Sequence, residues 1–149
     1  MVKKTAFFIP LFIVLLDQAT KFIVSRFIGF HEAIDILPFL RIVHVTNRGA
    51  AFGSFQFLGN TFFIVLSCVA IVVVLLMILL SRESIIALSF ILGGAVGNLI
   101  DRLRFGYVID FLDVYAGKYH WPAFNVADSF ISIGIVLMLF FYFLFPRKK

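Results

Sequence analysis

The sequence predicts a mainly α-helical, polytopic membrane protein with four transmembrane helices, a small extracytoplasmic β-sheet and both termini in the cytoplasm. Three observations carry this. First, 62% of the 149 residues are hydrophobic and the mean hydropathy is +1.10, well above the roughly 45–50% apolar content of soluble domains. Second, four stretches, at about 5–24, 61–80, 84–103 and 126–145, approach the ~20 mostly apolar residues that cross ~30 Å of hydrocarbon. Third, the segments between them alternate in length. Those at 25–60 and 104–125 are long, and that at 81–83 is very short. The whole chain, 1–149, reads as a single integral membrane domain.

Each element follows from local chemistry. Lys3 and Lys4 precede the first apolar stretch, as in a signal peptide. The stretch is too long for one, no A-x-A-like site follows, and Asp17 interrupts it, so it reads as a retained helix. The second stretch carries no charge. Lys3, Lys4, Arg82, Arg147, Lys148 and Lys149 lie close to helix ends on one side, which the positive-inside rule makes cytoplasmic. The net charge of +5 thus reports orientation and does not imply a nucleic-acid partner. In the segment 25–60, PFLRIVHV at 38–45 favours strand, and Asn47, Arg48 and Gly49 favour a turn. This predicts a small sheet on the membrane surface. In 104–125, Tyr107, Tyr115, Tyr119 and Trp121 suit an interfacial aromatic belt. The lone cysteine, Cys68, reads as a small buried hydrophobe.

Alternating topology brings the polar residues of the spans to one depth. Asp17 and Lys21 fall in the outer half of the first helix. Asn98, Asp101 and Arg102 fall near the outer end of the third, and Asn125 and Asp128 at the outer start of the fourth. Within each helix the spacing is i, i+3 or i, i+4, hence one face. Charged groups at that depth face a bundle interior or a wet cavity rather than lipid. Plainer readings exist for each: Asp17–Lys21 as a structural ion pair, Asn125 as a helix N-cap with Asp128 at N3, and Asp113 as a solvated loop carboxylate. Gly93, Gly94 and Gly97 read as sites of close helix approach.

The chemistry narrows by residue type. His31, His44 and His120 are scattered and no H-E-x-x-H occurs, so no metal centre or cofactor is expected. Lys21 and Ser25 stand at Ser–Lys dyad spacing, but that pairing leaves the other carboxylates unexplained. Paired aspartates fit best, because two close carboxylates share one proton near neutral pH. Spacing leaves Asp17, Asp101, Asp110, Asp113 and Asp128 as candidates. Asp17 and Asp101 have a cation close in sequence; Asp110 and Asp128 do not and are the freer pair. The alternative is a small proton- or ion-coupled carrier, which also places carboxylates in helices.

Five blocks then resemble the bacterial lipoprotein signal peptidases, signal peptidase II: DQATK at 17–21, TNRGAAFG at 46–53, GGAVGNLIDR at 93–102, VIDFLD at 108–113 and FNVAD at 124–128. The resemblance implies four transmembrane helices, a small extracytoplasmic β-cradle and a periplasm-side helix. It implies an aspartic endopeptidase of the bacterial inner membrane, free of metal, with its site at the extracytoplasmic face. Such an enzyme removes the signal peptide of diacylglyceryl-modified prolipoproteins by cleaving before the lipidated cysteine. By motif, the catalytic pair falls on Asp110 and Asp128. Asp17, Lys21, Asn47, Asn98, Asp101, Arg102 and Asn125 fall on positions that bind substrate or brace the site, and Asp113 is left a bystander. Membrane lipids and globomycin-like peptide antibiotics are the further partners it implies.

Overall fold

The computed structural model describes residues 2–49, 56–80 and 84–144, with side chains from Phe8 onward except that of Gln56. Residues 50–53 of the TNRGAAFG block, residues 81–83 with Arg82, the side chains of Lys3 and Lys4, and the basic C-terminus lie outside the described residues.

Four long helices are present: α1 (Val2–Phe27), α2 (Gly59–Leu80), α3 (Ile85–Phe105) and α4 (Val126–Leu144). All four are long and apolar enough to cross a membrane. The third is the hub, packing on α1, α2 and α4. Its glycines permit this. A Cβ on Gly93 would lie 2.8 Å from the Ile13 Cβ of α1, one on Gly94 would overlap the Ala127 carbonyl oxygen of α4, and one on Gly97 would lie 2.7 Å from Asp17 Oδ2. The chain starts α3 with Ser84, whose hydroxyl accepts the Ala87 amide, and ends it at Gly106, left-handed at φ 81°. Glycine reaches that conformation without a Cβ penalty.

Between α1 and α2 lie β1 (Ala33–Leu37) and β2 (Leu40–Asn47); between α3 and α4 lie β3 (Val108–Ala116) and β4 (Tyr119–His120). They form one antiparallel sheet ordered β1-β2-β3-β4. The 25–60 segment supplies two strands, as expected. The 104–125 segment, read as an aromatic belt, supplies the other two. Its strand β3 is buried at Val108, Ile109, Asp110, Phe111 and Asp113. It is covered by β2 on one side and by Phe124, which bonds Leu112 in both directions, on the other. Of the β2–α2 connection, where residues 50–55 lie outside the described residues, the structure describes the 3₁₀ turn Gln56–Leu58, which runs straight into α2.

Two further expectations change. Cys68 is exposed on α2, not buried. That helix packs only its Phe63 and Val74 fully against the protein, so most of its apolar surface is left for lipid. Asp113 is not a solvated loop carboxylate. It is buried in β3 and paired with Arg41 of β2 and with His120 Nδ1 at 3.0 Å. Its cation sits opposite it in the β2–β3 register.

Candidate active site

The sheet ends of α1, α3 and α4 meet around Lys21. Its ammonium is buried and lies 2.8 Å from Asp17 Oδ2, 2.9 Å from Asp101 Oδ2 and 3.0 Å from Asn98 Oδ1. Asp17 and Asp101 are fully buried. Ionised groups at such depth are tolerated only when paired and hydrogen-bonded. Here every carboxylate oxygen of both residues accepts a bond. Asp17 Oδ1 takes the Ala127 amide at 2.9 Å, Asp101 Oδ2 takes the Ile109 amide at 3.1 Å, and Gln18 Nε2 reaches Asp101 Oδ1 at 2.9 Å and Asp17 Oδ2 at 3.2 Å. The cation of Asp101 is therefore Lys21 on another helix, not its neighbour Arg102. The Arg102 guanidinium instead donates to the Gly49 carbonyl at 3.2 Å and lies over the Phe63 ring. Gln18 is a site residue the sequence reading passed over. Its signal was a long polar side chain beside Asp17 in an apolar span.

Two asparagines carry this knot to the other carboxylates. Asn98 Oδ1 accepts from Lys21 and, at 3.2 Å, from Asn125. Its amide nitrogen is thereby turned to Asp128 Oδ1, 2.7 Å away. Asn125 caps α4 through Oδ1, which accepts the Asp128 amide at 2.9 Å, while Nδ2 donates to Asp110 Oδ1 at 2.7 Å. Asn125 is thus the N-cap of α4, and the same side chain reaches the Asp110 carboxylate. Asn47, at the end of β2, donates to Asp110 Oδ2 at 3.0 Å, so its amide serves a carboxylate of the protein.

Asp110 and Asp128 line a cleft of about 550 Å³ together with Asn47, Asn98 and Arg102. Trp121, Pro122, Ala123 and Phe124 form one wall, and Ser129, Ile131, Ser132 and Ile133 of α4 the other. The cleft separates the aspartates by availability. Asp17 and Asp101 are saturated by Lys21, and Asp113 by Arg41 and His120. Among the described residues Asp110 and Asp128 make no ion pair, and Asp128 Oδ2 has no protein donor at all. Burial of Asp110, reinforced by the nearby Asp128 charge, pushes its carboxyl up to about 7; the Asn47 and Asn125 amides and Lys21 pull the other way without prevailing. A protonated and an ionised carboxyl can therefore face one cleft at neutral pH. All nine sequence-selected residues converge here. No group of three or more His, Cys, Asp or Glu side chains able to hold a metal occurs among the described residues.

Comparison with known proteins agrees in sequence and in shape. The family model for signal peptidase (SPase) II, Peptidase_A8, matches residues 9–144. The lipoprotein signal peptidase of Thermodesulfovibrio yellowstonii is 48% identical over 128 residues, covering 86% of this chain and 87% of that protein. That of Syntrophus aciditrophicus is 43% identical over 136 residues, covering 85% and 84%. A solved bacterial membrane enzyme superimposes with a TM-score of 0.86 at 31% identity, over 98% of this chain and 93% of that one. A second does so at 0.84 and 31%, over 97% and 95%.

Proposed function

Because the chain belongs to the signal peptidase II family of aspartic peptidases, we propose that Asp110 and Asp128 are its catalytic dyad and cut the signal peptide from a diacylglyceryl-modified prolipoprotein, just before the lipidated cysteine. The observation that carries the assignment is that these two aspartates alone line the cleft and alone lack an ion pair among the described aspartates of the site.

The dyad works with one shared proton. Asp128, held through Oδ1 by Asn98, offers Oδ2 to a water and takes its proton. The water oxygen attacks the scissile carbonyl carbon. Asp110, protonated, donates to the carbonyl oxygen as the tetrahedral adduct forms. When the C–N bond breaks, the proton held by Asp128 passes to the leaving cysteine nitrogen, giving a peptide carboxyl and a free amine. Lys21, Asp17, Asp101 and Gln18 stay out of the proton traffic and fix Asn98 and the first turn of α4. Arg102 and Asn47 border the cleft where a peptide backbone would lie.

The substrate fits the depth of the cleft. Within the four spans Asp17 lies at mid-span, and every other Asp, Lys and Arg lies in the half nearest the sheet. A scissile bond at the bilayer surface would meet the dyad there while its acyl chains remain in lipid. This distribution also disfavours the carrier alternative, which needs polar groups spaced through the membrane. On this reading 1–149 is one peptidase domain in the bacterial inner membrane, with the cleft at the extracytoplasmic face and both termini cytoplasmic. Globomycin-like cyclic peptides block it by filling the cleft, and no cofactor takes part. Asp110→Asn and Asp128→Asn are expected each to lower cleavage of a lipidated prolipopeptide by at least ~10²–10⁴-fold while peptide binding persists and chelators leave the wild type unaffected. Cleavage at the wild-type rate by either variant would remove the dyad assignment.

A further inference from the structure

The cleft continues below the dyad along α4. At about 100° per residue, Asp128, Ser132 and Ser129 occupy the middle of the cleft-facing stripe, and Ile131 and Ile133 its two margins. Ser129 spends its hydroxyl on the Asn125 carbonyl at 2.9 Å, as Thr20 does on Leu16 and Ser25 on Phe22. Ser132 makes no hydrogen bond among the described residues. Elsewhere in the spans Ser67 and Ser89 also make none, but neither lines the cleft. Ser132 is thus the free hydroxyl of the cleft on its membrane side, one turn deeper than Asp128.

Taking the cleft as the prolipoprotein site proposed above, we infer that Ser132 is a specificity residue whose hydroxyl donates a hydrogen bond to an ester carbonyl of the substrate's diacylglyceryl group. The distances agree. Four residues along the helix place Ser132 about 6 Å below Asp128. From the scissile carbonyl, the substrate runs through the cysteine nitrogen, Cα, Cβ and sulfur, then two glyceryl carbons and the ester oxygen, to the first ester carbonyl; these eight bonds reach at most about 10 Å and cover the ~6 Å when partly bent. The chemistry agrees too. An ester carbonyl accepts and does not donate, and a serine hydroxyl is the donor that α4 presents at that depth. Ile131 and Ile133 flank it with apolar surface suited to the first methylenes of the acyl chains.

The test compares two synthetic prolipopeptides, one with a diacylglyceryl cysteine and one with the dialkyl ether, in which each ester carbonyl is a methylene. Wild type is expected to favour the diester by about fivefold in kcat/KM, the worth of one neutral hydrogen bond. In Ser132→Ala the preference should vanish through loss of rate on the diester alone, with an unchanged Tm. Ser132→Thr, which keeps a hydroxyl, should retain it. A preference that survives in Ser132→Ala, an equal loss on both lipids, or a wild type that does not distinguish them would overturn the role. A wild type that cleaves neither lipopeptide removes the substrate assignment itself, and the Ser132 role with it.

Discussion

Asn47 offers a direct way to move the proton chemistry of the proposed dyad. Its amide donates to Asp110 Oδ2 at 3.0 Å and so favours the ionised form. Removing it should therefore raise the Asp110 carboxyl further above about 7. The sign for catalysis follows. If the protonated Asp110 is the active form, activity is lost as pH rises through its pKa, and a higher pKa carries the alkaline limb to higher pH. A hydrogen bond to a charged group is worth about 1.5–3 kcal/mol, or about one to two pH units at 1.36 kcal/mol per unit. Asn47 is only half-buried, so in Asn47→Ala a water can replace the lost donor, and the shift should fall at or below about one unit. Asn47→Leu fills the space and keeps water out, and should move the limb further. The assay is kcat/KM for a lipidated prolipopeptide across pH in wild type and both variants. The maximal rate is expected to fall in both, since Asn47 Oδ1 also holds the Gly49 amide at 2.9 Å; the position of the limb is the readout. A limb that stays put, moves to lower pH, or moves more in Ala than in Leu would refute the reasoning.

Two further outcomes test the frame around the dyad. Lys21→Met leaves Asp17 and Asp101 buried without their shared cation, and should cost about 3–5 kcal/mol of stability, read as a large fall in thermal unfolding temperature in detergent. Gly94→Ala forces α3 from the Ala127 carbonyl of α4; overpacking of this kind costs about 1–3 kcal/mol, and because Ala127 adjoins Asp128 the rate should drop with the unfolding temperature.

The helices were legible because span length is set by the bilayer and apolar runs of that length are rare. Their ends were less so: α1 continues to Phe27 and α3 to Phe105, since hydropathy does not mark where a helix leaves the membrane. Strand β3 was hidden for a different reason. It is buried on both faces, so VIDFL lacks the alternation that marks a half-exposed strand. The partners of Asp101 and Asp113 were out of reach as well. Lys21 and Arg41 lie far away along the chain and are brought in by helix packing and strand register. Local sequence offered Arg102 and solvent instead. What one-dimensional spacing did reveal was the common depth of the carboxylates, because alternating topology fixes depth before any packing is known. The choice of Asp110 and Asp128 from among them came from motif resemblance. The saturation of every oxygen on Asp17 and Asp101 supplies the physical reason that spacing lacked.

The Lys21 knot also bears on how the protein is made. Asp17 and Lys21 are one turn apart on α1, so the first helix to leave the ribosome can neutralise itself and enter the bilayer. On α3 the neighbour of Asp101, Arg102, turns its guanidinium to the Gly49 carbonyl, and Asp101 makes its ion pair off its own helix. Its cation waits on α1. The last donors, the Ile109 and Ala127 amides, belong to segments synthesised later still. α3 and α4 thus each carry a polar group whose partner lies on the earlier helix α1, and the cost of leaving such groups in lipid favours docking α3 on α1 and α4 on both. The cluster that braces the finished cleft is therefore expected to bias the order in which its walls come together.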